Sequence, residues 1–221
     1  TAADSSYYHC QFVATMAAGD ITGSNLASGV APDADLILSS QPNYSGYRGD
    51  DWAADLDSAR GYGAVASNNS WGLVGLGDYN TCASGDGNCI FNATEFQTVV
   101  DNNPQYSATQ LLGFFNEWYS VDGGTAVTTA ATNATSDWIT ALNNFQDSGV
   151  VVFASGNSTY ENDVSAVAAL PEWFPQLAEA WISVGMIDFT GDSIADAVES
   201  EFTLHGNKCG TAKEYCVVAD G

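Results

Sequence analysis

The sequence predicts an α/β fold, a mostly parallel sheet flanked by helices, and three observations predict it. Val150-Val151-Val152-Phe153-Ala154 is a wholly apolar run, the pattern of a strand covered on both faces. It follows at once on a helical stretch that Gly149 stops. A second apolar run of strand length, Trp181 to Ile187, comes after a further connection. Helices that alternate with short apolar strands give a parallel sheet. In such sheets, active sites gather at the carboxyl ends of the strands.

In chain order, residues 9–19 read as a helix rich in Ala and Met that ends at Gly19. A loop over 20–33 leads to Ala34-Asp35-Leu36-Ile37-Leu38-Ser39, which has strand length and character. Residues 50–60 suit a helix, with Asp50 and Asp51 at the end where the helix dipole favours negative charge. Residues 64–72 read as a strand with a polar end. Residues 73–135 differ in character and read as an insertion with its own small structure within one domain of 221 residues. Ser136 is the expected cap of a helix over 137–147, with Trp138, Ala141, Leu142 and Phe145 on one face. Residues 215–219 form the last expected strand.

At 45% hydrophobic the chain can bury a substantial core. Its net charge of −23 repels nucleic acid and anionic membrane, which excludes both as expected partners. No apolar run reaches the length of a membrane span, and no basic segment followed by an apolar run opens the chain. Cys82 and Cys89 enclose Ala-Ser-Gly-Asp-Gly-Asn, and Cys209 and Cys216 enclose Gly-Thr-Ala-Lys-Glu-Tyr. Each pair can close a small disulfide loop, which suggests an oxidising compartment, extracellular or at the cell surface. Both pairs are spaced too widely for the usual zinc-ligand pair. Cys10 is left over. Asn43, Asn68, Asn92, Asn133 and Asn157 stand in glycosylation sequons.

Five segments, in order, carry a resemblance to a known family. They are His9-x-x-Phe12-Val13-Ala14, Gly29-Val30-Ala31-Pro32-Asp33-Ala34, Asn68-Asn69-Ser70-Trp71-Gly72, Val150 to Asn157, and Asn207-Lys208-Cys209-Gly210 through Cys216-Val217-Val218-Ala219. Together they resemble the subtilisin-like serine proteases (subtilases), and the last resembles the autotransporter-type members. The resemblance implies a three-layer sandwich, a polypeptide substrate and no required cofactor. It leaves room for calcium without choosing ligands; Asp50, Asp51, Asp55 and Asp57 cluster but lack EF-hand spacing. It implies that His9, at a helix N-terminus, is the general base. It implies that Asn157 donates to the oxyanion, and that Ser70, Trp71 and Gly72 pair with an extended substrate. Trp71 has two readings, pocket wall or core. No role falls to His205.

The family's D-[ST]-G motif lies ahead of the histidine, and none precedes His9; its G-T-S-x-x-A-P motif is not found in the sequence. Cys10, Gln11 and Thr15 stand where the histidine motif has Gly, Thr and Gly, and Asp220 stands where proline is usual. The expectation is therefore the central portion of a secreted endopeptidase. The alternative is an inactive subtilase-like module that serves as a surface or filament subunit and can self-associate.

Overall fold

The computed structural model describes residues 3–19, 29–39, 48–73, 91–116, 127–157, 163–191 and 201–220. Residues 1–41 and 42–221 form two compact units.

The first unit holds helix α1, Ala3–Ala18. It begins well before the expected start, so His9 lies inside the helix and not at its N-terminus. Tyr7, Tyr8 and the residues before them can continue the helix because no Gly or Pro interrupts the stretch. The helix ends by a backbone clasp. Val30 and Ala31 donate their N–H groups to the carbonyls of Met16 and Ala17, at 3.0 and 2.8 Å, and Gly29 donates to Gly19 at 2.8 Å. These bonds satisfy carbonyls that a helix end leaves unpaired. A Cβ on residue 29 would lie 2.5 Å from the Gly19 nitrogen, so the chain comes this close only with glycine. The two motifs at the start of the sequence are thus one local structure.

The expected strand over 34–39 is not a strand of the sheet, and Leu36, Ile37 and Leu38 are exposed. An apolar run becomes a strand only when a neighbour takes its backbone hydrogen bonds. Its composition alone supplies none.

The second unit is a five-stranded sheet with helices packed on it. Helix α2 is Arg48–Gly61, with Asp50 and Asp51 in its first turn. Strand β1, Ala66–Asn69, is shorter than the expected 64–72. Beyond Asn69 the strand pairing ends, and Trp71 packs in an aromatic cluster. Helix α3 is Ala93–Asn102. Its N-cap is Asn92, which accepts from Glu95 N–H at 2.9 Å while the Glu95 carboxylate accepts from Asn92 N–H at 3.0 Å. This reciprocal pair satisfies two otherwise orphaned donors. The Asn92 side chain is therefore committed and its residue is buried, although it stands in a sequon.

Helix α4 is Ala108–Asn116 and helix α5 is Thr129–Gln146. The expected cap Ser136 lies within α5; the true cap is Thr128, which accepts from Ala131 N–H at 3.1 Å. The first turns of α5 carry small residues because neighbours press close there. A Cβ on Gly113 would lie 2.8 Å from the Ala131 carbonyl oxygen, and Gly49 of α2 abuts Ala134. Ala131, Ala134 and Thr135 are buried in this seam.

Strand β2 is Val150–Ala154 and strand β3 is Trp181–Phe189. Short 3-10 turns over Ala166–Glu172 and Pro175–Leu177 join them. Strand β4 is Phe202–Leu204 and strand β5 is Cys216–Asp220. The pairs β1–β2, β2–β3 and β3–β5 are parallel, and β4 lies antiparallel on β3. A mostly parallel sheet with flanking helices is thus present. Sequence reading did not find β4.

The core lies between the sheet and α3–α5. Phe96, Leu112, Leu142, Phe145, Val151, Phe153, Val167 and Leu170 are fully buried there. Residues from within 73–135, among them Phe91, Phe96, Leu111 and Phe115, share this core with Trp138 and Phe153. The indole N–H of Trp181 and the hydroxyl of Ser183 both donate to the Ala168 carbonyl, at 2.9 and 2.7 Å. Cys209 and Cys216 are disulfide-bonded, with Cα atoms 5.8 Å apart. Cys82 and Cys89 lie outside the described residues, as does Asn43. No helix among the described residues is long and apolar enough to cross a membrane.

Candidate active site

Strands β1 and β2 run in the same direction, with Asn69 level with Phe153. Their carboxyl ends therefore lie side by side. Ser70-Trp71-Gly72 leaves one strand where Ala154-Ser155-Gly156-Asn157 leaves the other. Of the residues singled out in the sequence, the geometry brings these together. His9 lies on α1, in the first unit.

The β1 end is stiffened by its own asparagines. The Asn69 carboxamide donates to Ser67 Oγ at 3.1 Å and to the Val152 carbonyl at 3.2 Å, tying it to β2. The Asn68 amide donates to Ser70 Oγ at 3.0 Å. Trp71 is half-buried, with ring centroids 4.7 Å from Trp52, 5.4 Å from Phe153 and 5.9 Å from Trp138. The core reading of Trp71 describes this packing.

The β2 end is held more elaborately. Ser155 is buried; its N–H donates to Val184 at 2.8 Å and its carbonyl accepts from Ser165 N–H at 2.7 Å. Gly156 has φ +119°, a conformation L side chains rarely adopt. A Cβ there would also lie 2.5 Å from the Asn207 side-chain oxygen. The Gly156 carbonyl accepts from Asn207 N–H at 3.0 Å. Asn157 follows and is exposed.

Beneath this turn lies Asp163, which sequence reading passed over. It is only 5% exposed. Its carboxylate accepts from Thr94 Oγ at 2.7 Å, Thr211 N–H at 2.7 Å, Thr211 Oγ at 2.7 Å and Val164 N–H at 2.9 Å. Its carbonyl accepts from the Asn207 amide at 2.9 Å. Burial pushes the Asp163 carboxyl up, but the donors from Thr211, Thr94 and Val164 outweigh it and hold it below the usual carboxylate range.

Two other charged places are on the surface. Asp50, Asp57 and Asp137 line a groove of about 360 Å³ between α2 and α5. Burial first, then Asp137 and Asp51, push Asp50 up. Among the described residues no three His, Cys, Asp or Glu side chains stand together as metal ligands. His205 Nε2 lies 2.8 Å from Asp188 Oδ2, both about half exposed. Elsewhere the Tyr215 hydroxyl donates to Glu172 at 3.2 Å. Burial and that carboxylate push the phenol up.

The sequence model of the Subtilase family matches residues 2–221. The chain belongs to the subtilase family. No curated protein matches it. Among solved structures it is similar to the Prenylagaramide maturation protease PagA, at 15% identity and a TM-score of 0.45. The match covers 95% of this chain and 50% of that one, so the chain spans about half the length of that protease.

Proposed function

We propose that this subtilase chain contributes the histidine, oxyanion and substrate-pairing parts of a serine endopeptidase. Family membership over residues 2–221 carries the reading. The adjacent carboxyl ends of β1 and β2 support it. An extended polypeptide lies along Ser70-Trp71-Gly72 and is bound through main-chain hydrogen bonds. His9 takes the proton of the attacking serine and returns it to the leaving amine. Asn157 donates its amide to the oxyanion of the tetrahedral intermediate, a contact stronger in the transition state than in the ground state. The fixed backbone of Ser155 and Gly156 suits that task, because a donor that need not reorganise stabilises developing charge best. The disulfide and acidic surface fit an extracellular protein.

The test uses the full-length protein, a serine-directed fluorophosphonate probe and a peptide substrate. Labelling and turnover are expected. His9→Ala is expected to abolish both, and Asn157→Ala to lower kcat by about 10²–10³. A folded full-length protein that takes no label and cleaves nothing would instead favour the inactive surface or filament module, to which Cys10, Gln11 and Thr15 point.

A further inference from the structure

We propose that Asp163 is a positioning residue for Asn157: its carboxylate pins together the segments that hold the Ser155–Gly156 turn. The inference rests on the reading of Asn157 as the oxyanion donor.

The carboxylate is the meeting point of three parts of the chain. Thr94 belongs to the first turn of α3, and Thr211 lies in the 3-10 turn Gly210–Ala212 within the Cys209–Cys216 loop. Asp163 itself leads into the buried 3-10 segment that starts at Ala166. With Asp163 fixed, its carbonyl fixes the Asn207 side chain, at 2.9 Å. The Asn207 N–H then holds the Gly156 carbonyl at 3.0 Å, and its own carbonyl accepts from Ser155 Oγ at 3.3 Å. The bonds from Asn207 to Asp163 and Ser155 join buried groups, and those from Thr94 and Thr211 are part-buried. The chain of contacts ends one residue before Asn157.

A neutral side chain loses the charge-assisted strength of the bonds this carboxylate accepts. Its oxygens accept from two hydroxyls and two backbone N–H groups. An asparagine can keep its oxygen on the two backbone N–H groups, but its NH₂ then meets the two threonine hydroxyls, which have to turn round and accept. A buried carboxylate is costly unless every acceptor site is used, so its presence marks a constraint beyond packing. Thr94 and Thr211 supply both hydroxyls, and neither is needed to fill the core.

The test compares Asp163→Asn, Thr211→Val and Asn157→Ala in the full-length protein. Backbone hydrogen exchange needs no catalysis. Asp163→Asn is expected to speed exchange at the Asn207 and Ser165 amides by about tenfold or more, with β2 unchanged. Thr211→Val keeps the backbone donor and removes one hydroxyl, so a smaller change at the same amides is expected. It also carries the test should Asp163→Asn not fold. In turnover, Asp163→Asn is expected to lower kcat about tenfold with KM nearly constant. It should slow the Asn157→Ala enzyme no further. Unchanged exchange in both variants overturns the proposal. So does an equal slowing by Asp163→Asn with and without Asn157. If Asn157→Ala leaves kcat intact, the oxyanion reading fails, and the exchange result alone then judges the pin.

Discussion

The turn that closes α1 and the turn that ends β2 both depend on a glycine, yet they are held by different means. Gly29-Val30-Ala31 clasps the helix with main-chain bonds alone, and the side chains around it, Phe12, Met16 and Val30, are exposed. Ser155-Gly156 is gripped by buried Asn207 and Asp163, which Thr94 and Thr211 hold from nearer the surface. A net main-chain bond is worth about 0.5–1.5 kcal/mol, so the first turn can open locally at small cost. The second opens only with the segments around it. Fixed geometry is what the proposed role of Asn157 requires.

The sharpest way to break this contrast is to remove aromatic support at each place. Phe153→Ala is expected to lower unfolding free energy by about 3–5 kcal/mol in urea titration, because it vacates a buried stack against Trp181 at 5.0 Å. A loss below 1 kcal/mol would mean that the β2 end does not stand on its core.

Next in size is the covalent link. Replacing Cys209 and Cys216 by serine is expected to cost about 2–3 kcal/mol, the chain-entropy value for a loop this short. Hydrogen exchange should quicken at Thr211 and Asn207 before it does in β1.

A third prediction concerns acid. The Asp163 carboxyl is depressed in the folded state, so its stabilisation is present above the ordinary value of 3.8. It is lost as pH falls through the lower folded value. The Tm gap between the parent and Asp163→Asn should therefore be constant near neutrality and close in strong acid. A gap independent of pH would refute the assignment.

The smallest effect belongs to the first unit. Phe12→Ala, at a residue 64% exposed, should change stability by no more than about 0.5 kcal/mol. A larger loss would show that Phe12 is covered in the full-length protein.

Which features were legible in the sequence follows from the range of the forces involved. The end of α5 and strand β2 could be read because Trp138, Leu142, Phe145, Val151 and Phe153 mark them by size and spacing. The start of α5 could not, because it packs through Ala131, Ala134 and Thr135, and small residues give no amphipathic contrast. The Cys209–Cys216 link was local and readable. The role of Asp163 was not: its hydroxyl partners stand 69 residues before it and 48 after it. Only the fold makes them neighbours. The run at 34–39 misled for the opposite reason, since it has the composition of a strand but its partner is not encoded within it. Asn157 and Ser70–Gly72 were singled out through family resemblance alone, and no periodicity pointed to them.

The cap of α3 carries one more consequence. Asn92 is the acceptor residue of a sequon, and the folded protein has already spent that side chain on starting a helix. A sugar attached to its Nδ2 while the chain is still unfolded would leave Oδ1 able to accept from Glu95 N–H but would put bulk where Asn92 is buried between Phe91 and Ala93. Burial and modification thus compete for one side chain. Whichever comes first opposes the other, so in a glycosylating compartment the speed with which this side chain is buried would set how many molecules carry a sugar there.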